Sequence, residues 1–330
     1  MARGNRSESP RERTEEERER DREERERRTQ VRQRRRSSLR SGRAGVVALL
    51  VLALLVVALG AVVLVRALRK STPPPPPSAA VRVVKVVIPE GETRLQIAEI
   101  AKADGITGDY RKAAERSPQL NPATYGAPKG TPDLEGFLFP ATYDMVAGAP
   151  ASRLVAEQLS AFQERFGAEE VQRARDLHVT PYELLTVASM VEREALVPGD
   201  RAKIAAVIYN RLRIGMPLGI DATIYYAVEE ARGIATYTGE LTESQLHIDS
   251  PYNTRIHHGL PPTPISNPGM ASIEAAAHPA HVPYLYYVAG ADGCGEQVFS
   301  TTYAKFEVDA AAYDAAVKKN DGKPPVCKKK

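Results

Sequence analysis

The pattern of apolar and polar positions begins with a charged region and then changes to a long run without any charge. Residues 44–65 read AGVVALLVLALLVVALGAVVLV, which is 22 residues without a charged side chain. As a helix they would extend about 33 Å, enough to cross a bilayer core of roughly 30 Å. A cleaved signal peptide has a shorter apolar region. The run therefore predicts a retained transmembrane helix, with a buried core helix as the alternative.

Shorter segments with the periodicity of strands and helices follow from residue 81 onward. The β-branched run VRVVKVV predicts a strand, and YLYYVAG with QVFSTT predicts a hairpin around the loop ADGCGE. An aromatic-rich strand-and-turn element is expected at 134–145. Apolar residues at helical spacing predict helices at 93–103, 151–177 with a break near Gly167, 180–196 and 202–213. These elements indicate an α+β fold whose centre is mainly helical.

Charge separates the N-terminal tail from the folded part. Residues 1–43 contain sixteen arginines and ten acidic residues, a composition that predicts disorder or a transient charged helix. The arginines just before the apolar run place the N-terminus in the cytoplasm by the positive-inside rule, with the rest of the chain outside the plasma membrane. STPPPPPSAA at 71–80 predicts a stiff spacer. The remaining chain is slightly acidic, so its composition gives no reason to expect a nucleic-acid partner.

The two cysteines suit an oxidising compartment. Cys294 lies in the Gly-rich loop of the predicted hairpin, and Cys327 lies in a Lys-rich tail. A disulfide between them would fix the C-terminus to the hairpin. Two unpaired thiols are the open alternative.

The stretch VASMVEREA at 187–195 contains the carboxylates that best suit acid–base chemistry. On a helical wheel, Glu192 and Glu194 fall on either side of an apolar stripe, at the boundary between core and solvent. Partial desolvation there would raise a carboxyl pKa, which a general acid needs near neutral pH. The wheel does not choose between the two glutamates, and a solvated helix edge is the alternative for both.

Two other kinds of active site are disfavoured by the sequence. The histidines at 257–258 and 278–281 form the only clusters, but Pro279 spoils a helical ligand pair and no carboxylate has a metal-type spacing. A serine hydrolase would need a G-x-S-x-G elbow, which is absent. We therefore expect neither a metal nor another cofactor.

A family resemblance rests on five blocks that occur in order. The blocks are LEGFLFPATY (134–143), ASMVERE (188–194), AAVIYNRLRIGMPLGIDATIYYA (205–227), SPYNTRIHHGLPPTPISNPG (250–269) and AAAHPAHVPYLYYVAG (275–290). Together they resemble the MltG-type, or YceG-like, endolytic murein transglycosylases. The resemblance implies cleavage of the β-1,4 bond from N-acetylmuramic acid to N-acetylglucosamine within peptidoglycan strands, leaving 1,6-anhydro ends. It also implies that the second glutamate of its block, Glu194, is the catalytic acid, with Glu192 as second choice.

This chemistry suits a single carboxyl group, because the sugar's own C6 hydroxyl replaces the second carboxylate of an ordinary glycosidase. Other groups must orient the glycan. The candidates for substrate binding are Asn210, Arg211, Asp221, Thr223, Tyr252, Asn253 and Thr254. For each of them a structural role is an equal alternative: Asn210 and Arg211 could cap and brace their helix, and Asp221 could cap the next one.

The composition of the chain and the resemblance together imply a division into segments. The expected segments are a disordered charged cytoplasmic tail (1–43), a transmembrane helix (44–65), a Pro-rich linker (66–81), a LysM-like remnant with a connecting region (82–150), a mainly helical transglycosylase domain with a short hairpin (151–320) and a basic tail (321–330). Peptidoglycan strands are the expected partner, together with wall-synthesis enzymes at the membrane.

The sequence departs from the family pattern in three places. The LysM-related region is short, and Gln297 stands where a histidine is usual; a second histidine is missing around Lys305 and Phe306. Loss of an accessory role is the expected consequence. A catalytically inactive, membrane-anchored wall-binding scaffold is the alternative function.

Overall fold

The computed structural model describes residues 15–69 and 82–327, and the chain divides into two units, Met1–Ala80 and Val81–Lys330. In the first unit, helix α1 spans Glu15–Arg69. Its Val46–Ala67 segment is the one helix among the described residues that is long and apolar enough to cross a membrane. The apolar side chains of this segment are exposed and do not pack against other residues of the unit.

The predicted N-terminal segments are described only in part. Helix α1 includes residues 15–43, where the sequence allowed either disorder or a charged helix. Residues 1–14, most of the Pro-rich linker (70–81) and residues 328–330 of the basic tail lie outside the described residues.

The second unit combines helices with two small sheets, which confirms a mixed helical and strand fold. Its elements are β1 (Val83–Val87), α2 (Arg94–Ala103), α3 (Tyr110–Ala113), β2 (Thr142–Val146), α4 (Ala151–Arg165), α5 (Ala168–Asp176), α6 (Pro181–Glu194), α7 (Arg201–Arg213), α8 (Asp221–Arg232), α9 (Glu243–Leu246), α10 (Met270–Ala277), β3 (Tyr286–Ala289), β4 (Gln297–Ser300) and α11 (Tyr303–Lys319), with 3₁₀ turns at Pro122–Tyr125 and Pro198–Asp200.

Both sheets are antiparallel pairs. Strand β1 pairs with β2 so that Val86 lies opposite Tyr143, and β3 pairs with β4 so that Tyr287 lies opposite Phe299. The predicted first strand and the predicted hairpin are confirmed. The element expected at 134–145 forms a strand only from Thr142 onward, because the residues before it make turns.

The helix starts follow their capping signals. Thr93 and Gln96 form a capping box before α2, with the Thr93 N–H donating to Gln96 Oε1 at 2.7 Å. Thr180 and Glu183 do the same before α6, with the Thr180 N–H donating to Glu183 Oε2 at 2.7 Å. Such caps stabilise a helix by about 1 kcal/mol each. The predicted break near Gly167 is also present, since α4 ends at Arg165 and α5 begins at Ala168.

Helix α6 lies at the centre of the second unit. Every residue from Leu184 to Val191 is buried, and the helix packs against α5, α7, α8 and α10. The expectation of a single apolar stripe is therefore wrong for residues 184–191, because α10, which the sequence analysis did not identify, covers another side. Ser189 on that side is bonded rather than solvated: its Oγ accepts from the Ile265 N–H at 3.0 Å. The helix reaches the surface at its first turn, where Pro181 and Glu183 are half-buried, and at its last turn, which carries both candidate glutamates.

Residues 82–150 share one hydrophobic core with the helical region. Val86 of β1, Ile97 of α2 and Phe137 belong to the same buried cluster as Leu184 of α6. The relation of this region to LysM modules stays a prediction. Helix α11 packs on β3 and β4, but none of its residues is buried.

Candidate active site

The two candidate glutamates point to different surroundings. Glu192 Oε2 accepts a hydrogen bond from the Gly269 N–H at 2.9 Å, and Gly269 is the residue that precedes α10. The Glu192 side chain also packs closely on Gly91: if position 91 carried a Cβ atom, that atom would lie only 3.3 Å from Glu192 Cγ. A carboxylate at a helix N-terminus is favourable. Glu192 therefore joins the end of α6 to the start of α10.

Glu194 is the last residue of α6 and faces the hairpin. Its Oε2 accepts from the Tyr287 hydroxyl at 2.9 Å. The side chain is half-buried, but protein atoms surround the carboxyl group closely. Burial is the largest influence and raises the pKa of Glu194, and the charge of Asp221 raises it further. The Tyr287 hydrogen bond, the Ala222 N–H and Arg193 oppose that rise.

Asp221 opens α8 beside this carboxyl group. Its Oδ1 accepts from Arg255 Nε at 2.9 Å and from Arg255 Nη2 at 2.6 Å. The alternative in which Asp221 caps α8 is wrong, because the N-cap position is Ile220 and Asp221 is the first helical residue. The carboxylate whose charge raises the pKa of Glu194 is thus Asp221, which the sequence analysis named only as a candidate for substrate binding or for capping.

Three of the predicted substrate-binding residues are buried and bonded to the protein itself. Thr254 Oγ1 accepts from the Ile220 N–H at 3.0 Å and lies 3.0 Å from Thr223 Oγ1. Asn253 Nδ2 donates to the Leu246 and Ile248 carbonyls, each at 3.0 Å. The Thr254 and Thr223 bonds fix the backbone immediately before α8, so these two residues position the Asp221 end of that helix. The Asn253 bonds instead hold the segment at the end of α9.

Asn210 and Arg211 on α7 hold the segment that leads into β3. Asn210 Nδ2 donates to the Val282 and Tyr284 carbonyls at 2.9 Å each. Arg211 Nε donates to the Leu285 carbonyl at 2.6 Å. Their contacts therefore show a structural role. The segment that Asn210 and Arg211 brace is the one before β3, and not their own helix as the sequence analysis had suggested.

Tyr252 lies half-buried in the loop between α9 and α10. Its hydroxyl is 3.0 Å from Thr263 Oγ1, and its ring centroid is 5.0 Å from that of Tyr226 on α8. The structure therefore places Tyr252 against α8 and the Pro-rich turn, with its polar atom already bonded.

Two polar groups with notable surroundings were missed by sequence reasoning. Tyr287 was part of the predicted hairpin, but no local pattern showed that β3 meets the end of α6. Glu135, in the first resemblance block, is fully buried and accepts from the Arg94 N–H at 3.1 Å and from Asn267 Nδ2 at 2.6 Å. Burial, together with the charge of Asp133, raises the pKa of Glu135 to about 8. The one sequence feature that could have identified Glu135 is its position as the single acidic residue in the otherwise mainly apolar block LEGFLFPATY.

The hairpin that carries Tyr287 is fixed at its turn. Cys294 and Cys327 form a disulfide with their Cα atoms 4.5 Å apart, so the bridge and not the pair of free thiols is present. The Gln297 N–H, at the position where the family usually has histidine, donates to the buried Asp200 carboxylate at 2.6 Å. Within residues 15–69 and 82–327, no group of three or more His, Cys, Asp or Glu side chains is arranged to hold a metal ion.

Comparisons with known proteins agree on one family. The chain is 40% identical over 173 residues to a Bacillus subtilis protein named endolytic murein transglycosylase, covering 51% of this chain and 45% of that protein. It is 36% identical over 156 residues to a Streptococcus pneumoniae protein of the same name, covering 47% of this chain and 28% of that protein. The chain thus spans less than half the length of these curated relatives.

A solved structure is similar as well. The crystal structure of a YceG-like protein from Listeria monocytogenes matches with a TM-score of 0.60 and 33% identity, covering 68% of this chain and 75% of that one. The sequence model of the YceG-like family matches residues 61–312, and the chain therefore belongs to the YceG-like family.

Proposed function

We infer that this protein is an endolytic peptidoglycan lytic transglycosylase. It cleaves the β-1,4 bond from N-acetylmuramic acid to N-acetylglucosamine and leaves 1,6-anhydro ends, with Glu194 as the catalytic residue. The observation that carries this proposal is the position of Glu194: a half-buried carboxyl at the end of a rigid central helix, bonded to Tyr287, with its pKa raised by burial. The relatives named endolytic murein transglycosylase supply the substrate class.

The reaction needs one group that first gives and then takes a proton. Protonated Glu194 donates to the glycosidic oxygen as the C1–O4 bond breaks, and the sugar's C6 hydroxyl attacks C1 to form the C1–O6 bond. The hydroxyl proton returns to Glu194, so atoms and charge balance without consumption of water. A raised carboxyl pKa keeps the acid form available near neutral pH.

Hydrolysis is a second candidate reaction, because Asp221 is a second carboxylate near Glu194. Its charge acts on Glu194, and a pair of carboxylates is what hydrolytic glycosidases use to activate water. Against this, the Asp221 carboxylate is bonded to Arg255 through two nitrogen atoms. The chemical form of the new sugar end distinguishes the two reactions: an anhydro ring for the lytic reaction, a reducing end for hydrolysis.

The proposal extends to location and partners. The exposed apolar segment of α1 supports a single-pass anchor in the plasma membrane, with the N-terminus in the cytoplasm and the second unit outside. There the enzyme would cut nascent strands close to peptidoglycan synthases. Residues 82–150 would be the LysM-like remnant between anchor and catalytic region.

The test uses the full-length protein in detergent, incubated with intact glycan strands, with products identified by mass spectrometry. We expect anhydro-ended fragments from wild type and from Glu192→Gln, and none from Glu194→Gln. Without any cleavage by the wild type, the protein would be the inactive wall-binding scaffold. Cleavage that survives in Glu194→Gln but not in Glu192→Gln would move the catalytic role to Glu192.

A further inference from the structure

Tyr287 connects the hairpin to the catalytic carboxyl group. Its hydroxyl donates to Glu194 Oε2 at 2.9 Å, and burial together with Glu194 raises the pKa of Tyr287, so the hydroxyl keeps its proton and remains a donor. The preceding residue, Tyr286, faces away from Glu194 and packs on Phe306 with ring centroids 5.5 Å apart. Successive side chains of a strand alternate between faces, so the contact depends on the register of β3.

The position of the Tyr287 hydroxyl is fixed by several independent contacts. Its ring packs on Phe299 of β4 at a centroid distance of 6.0 Å, and α7 holds the backbone just before β3 through Asn210 and Arg211. The disulfide closes the other end of the hairpin at Cys294. A donor held by rigid elements in this way preorganises the group that it contacts.

Glu194 has particular need of such a contact. It ends α6, where no further helical turn restrains its side chain, and a free glutamate side chain has considerable rotamer freedom. Building on the proposed function, we propose that Tyr287 is a positioning residue that holds the Glu194 carboxyl group in place for proton transfer. It is not expected to contact the glycan or to transfer a proton itself.

The charged groups around this pair decide the direction of the effect. Asp221 on α8 faces Glu194 and raises its pKa, while Arg193 on α6 lowers it. Arg211 on α7 faces Tyr287 and lowers the pKa of that hydroxyl. The Tyr287 hydrogen bond lowers the pKa of Glu194, because it stabilises the ionised carboxylate. Removing the donor should therefore raise the pKa of Glu194 above its wild-type value.

Activity provides the first readout. Since Glu194 must be protonated to act as the acid, the rate falls as pH rises through its pKa. Tyr287→Phe removes the donor but keeps the ring, so the alkaline limb of kcat should move to higher pH. At the wild-type optimum, kcat should fall about tenfold to a hundredfold, the range of one hydrogen bond to a charged group, with KM little changed. Tyr286→Phe is the matched control and should leave both quantities at wild-type values.

A second readout does not depend on activity. Carbodiimide reacts with protonated carboxyl groups, so the pH dependence of Glu194 labelling in the full-length protein, followed by peptide mass spectrometry, reports its titration midpoint. We expect a higher midpoint in Tyr287→Phe. We expect a lower midpoint with 3-fluorotyrosine at position 287, a variant that keeps the ring and makes the hydroxyl a stronger donor.

The outcomes separate this inference from the proposed function. Midpoints that move in these two opposite directions support the role of Tyr287 even if no variant or wild type cleaves glycan, in which case only the proposed function fails. A wild-type midpoint in both variants, or a wild-type kcat and alkaline limb in Tyr287→Phe, would overturn the inference.

Discussion

Replacing both cysteines by serine should release the C-terminal helix without unfolding the unit. Cys294 and Cys327 are separated by 33 residues, and closing a loop of that length stabilises the folded state by roughly 4 kcal/mol in the chain-entropy model. Helix α11 lies within that loop and buries none of its residues, so few other contacts hold it. Those that remain are ring contacts with the hairpin, such as Tyr286 with Tyr303 at 5.8 Å.

Hydrogen exchange measures this release directly. In the full-length Cys294→Ser/Cys327→Ser variant, amides of α11 should exchange up to about a thousandfold faster, since each 1.4 kcal/mol is worth a factor of ten. Amides of the central helix α6 should exchange at the wild-type rate, because the helices that mainly pack on α6 are α5, α7, α8 and α10. Wild-type protein treated with a reductant is the matched control and should match the variant.

Two results would refute this reasoning. Unchanged exchange in α11 would mean that its hairpin contacts alone hold it, and that the disulfide adds nothing measurable. An equal acceleration in α6 and α11 would mean that the bridge stabilises the whole unit and not one local segment.

Three further predictions concern the site, and a fourth concerns the orientation in the membrane. The rate of glycan cleavage should decline as pH rises through the raised pKa of Glu194, and a profile without an alkaline limb would contradict an acid role for it. Glu192→Gln should keep activity but lower the free energy of unfolding by about 1 kcal/mol through the weakened bond to α10, as measured by denaturant titration; an unchanged midpoint would show that this bond is worth little. Thr254→Val should lower it by about 1–3 kcal/mol because the Ile220 N–H loses its partner in a buried position, and a variant as stable as wild type would argue that water takes the place of the hydroxyl. A reporter enzyme that works only outside the cytoplasm should be active when fused after Lys330, and activity at the N-terminus instead would reverse the proposed orientation.

Local signals in the sequence predicted the elements whose ends depend on nearby residues. The break at Gly167 and the capping boxes at Thr93 and Thr180 each involve contacts within three residues, so these helix ends depend on nearby sequence alone. The environment of α6 could not be predicted in this way. Its burial depends on α10, which lies about eighty residues away and has too few residues for a clear helical period.

The roles of the polar candidates were ambiguous for a physical reason. Amide and hydroxyl side chains bind sugars and backbone groups equally well, so residue type alone does not separate the two uses. Burial separates them, and burial is a property of the packed fold. Thr223 and Asn253 have no exposed surface, so neither could reach a glycan without local unfolding.

The resemblance blocks around Glu194 contact one another in the structure. The block at 205–227 supplies α7, which braces the approach to β3, and also the start of α8. The block at 250–269 fixes that start through Thr254, and the block at 275–290 contributes Tyr287. Because the polar atoms of these segments bond to one another, we expect most of the segments to influence the proposed reaction only through the position of the Glu194 carboxyl group. A substitution in this network should therefore lower stability and activity together, whereas Tyr287→Phe should change activity and the titration of Glu194 with little loss of stability.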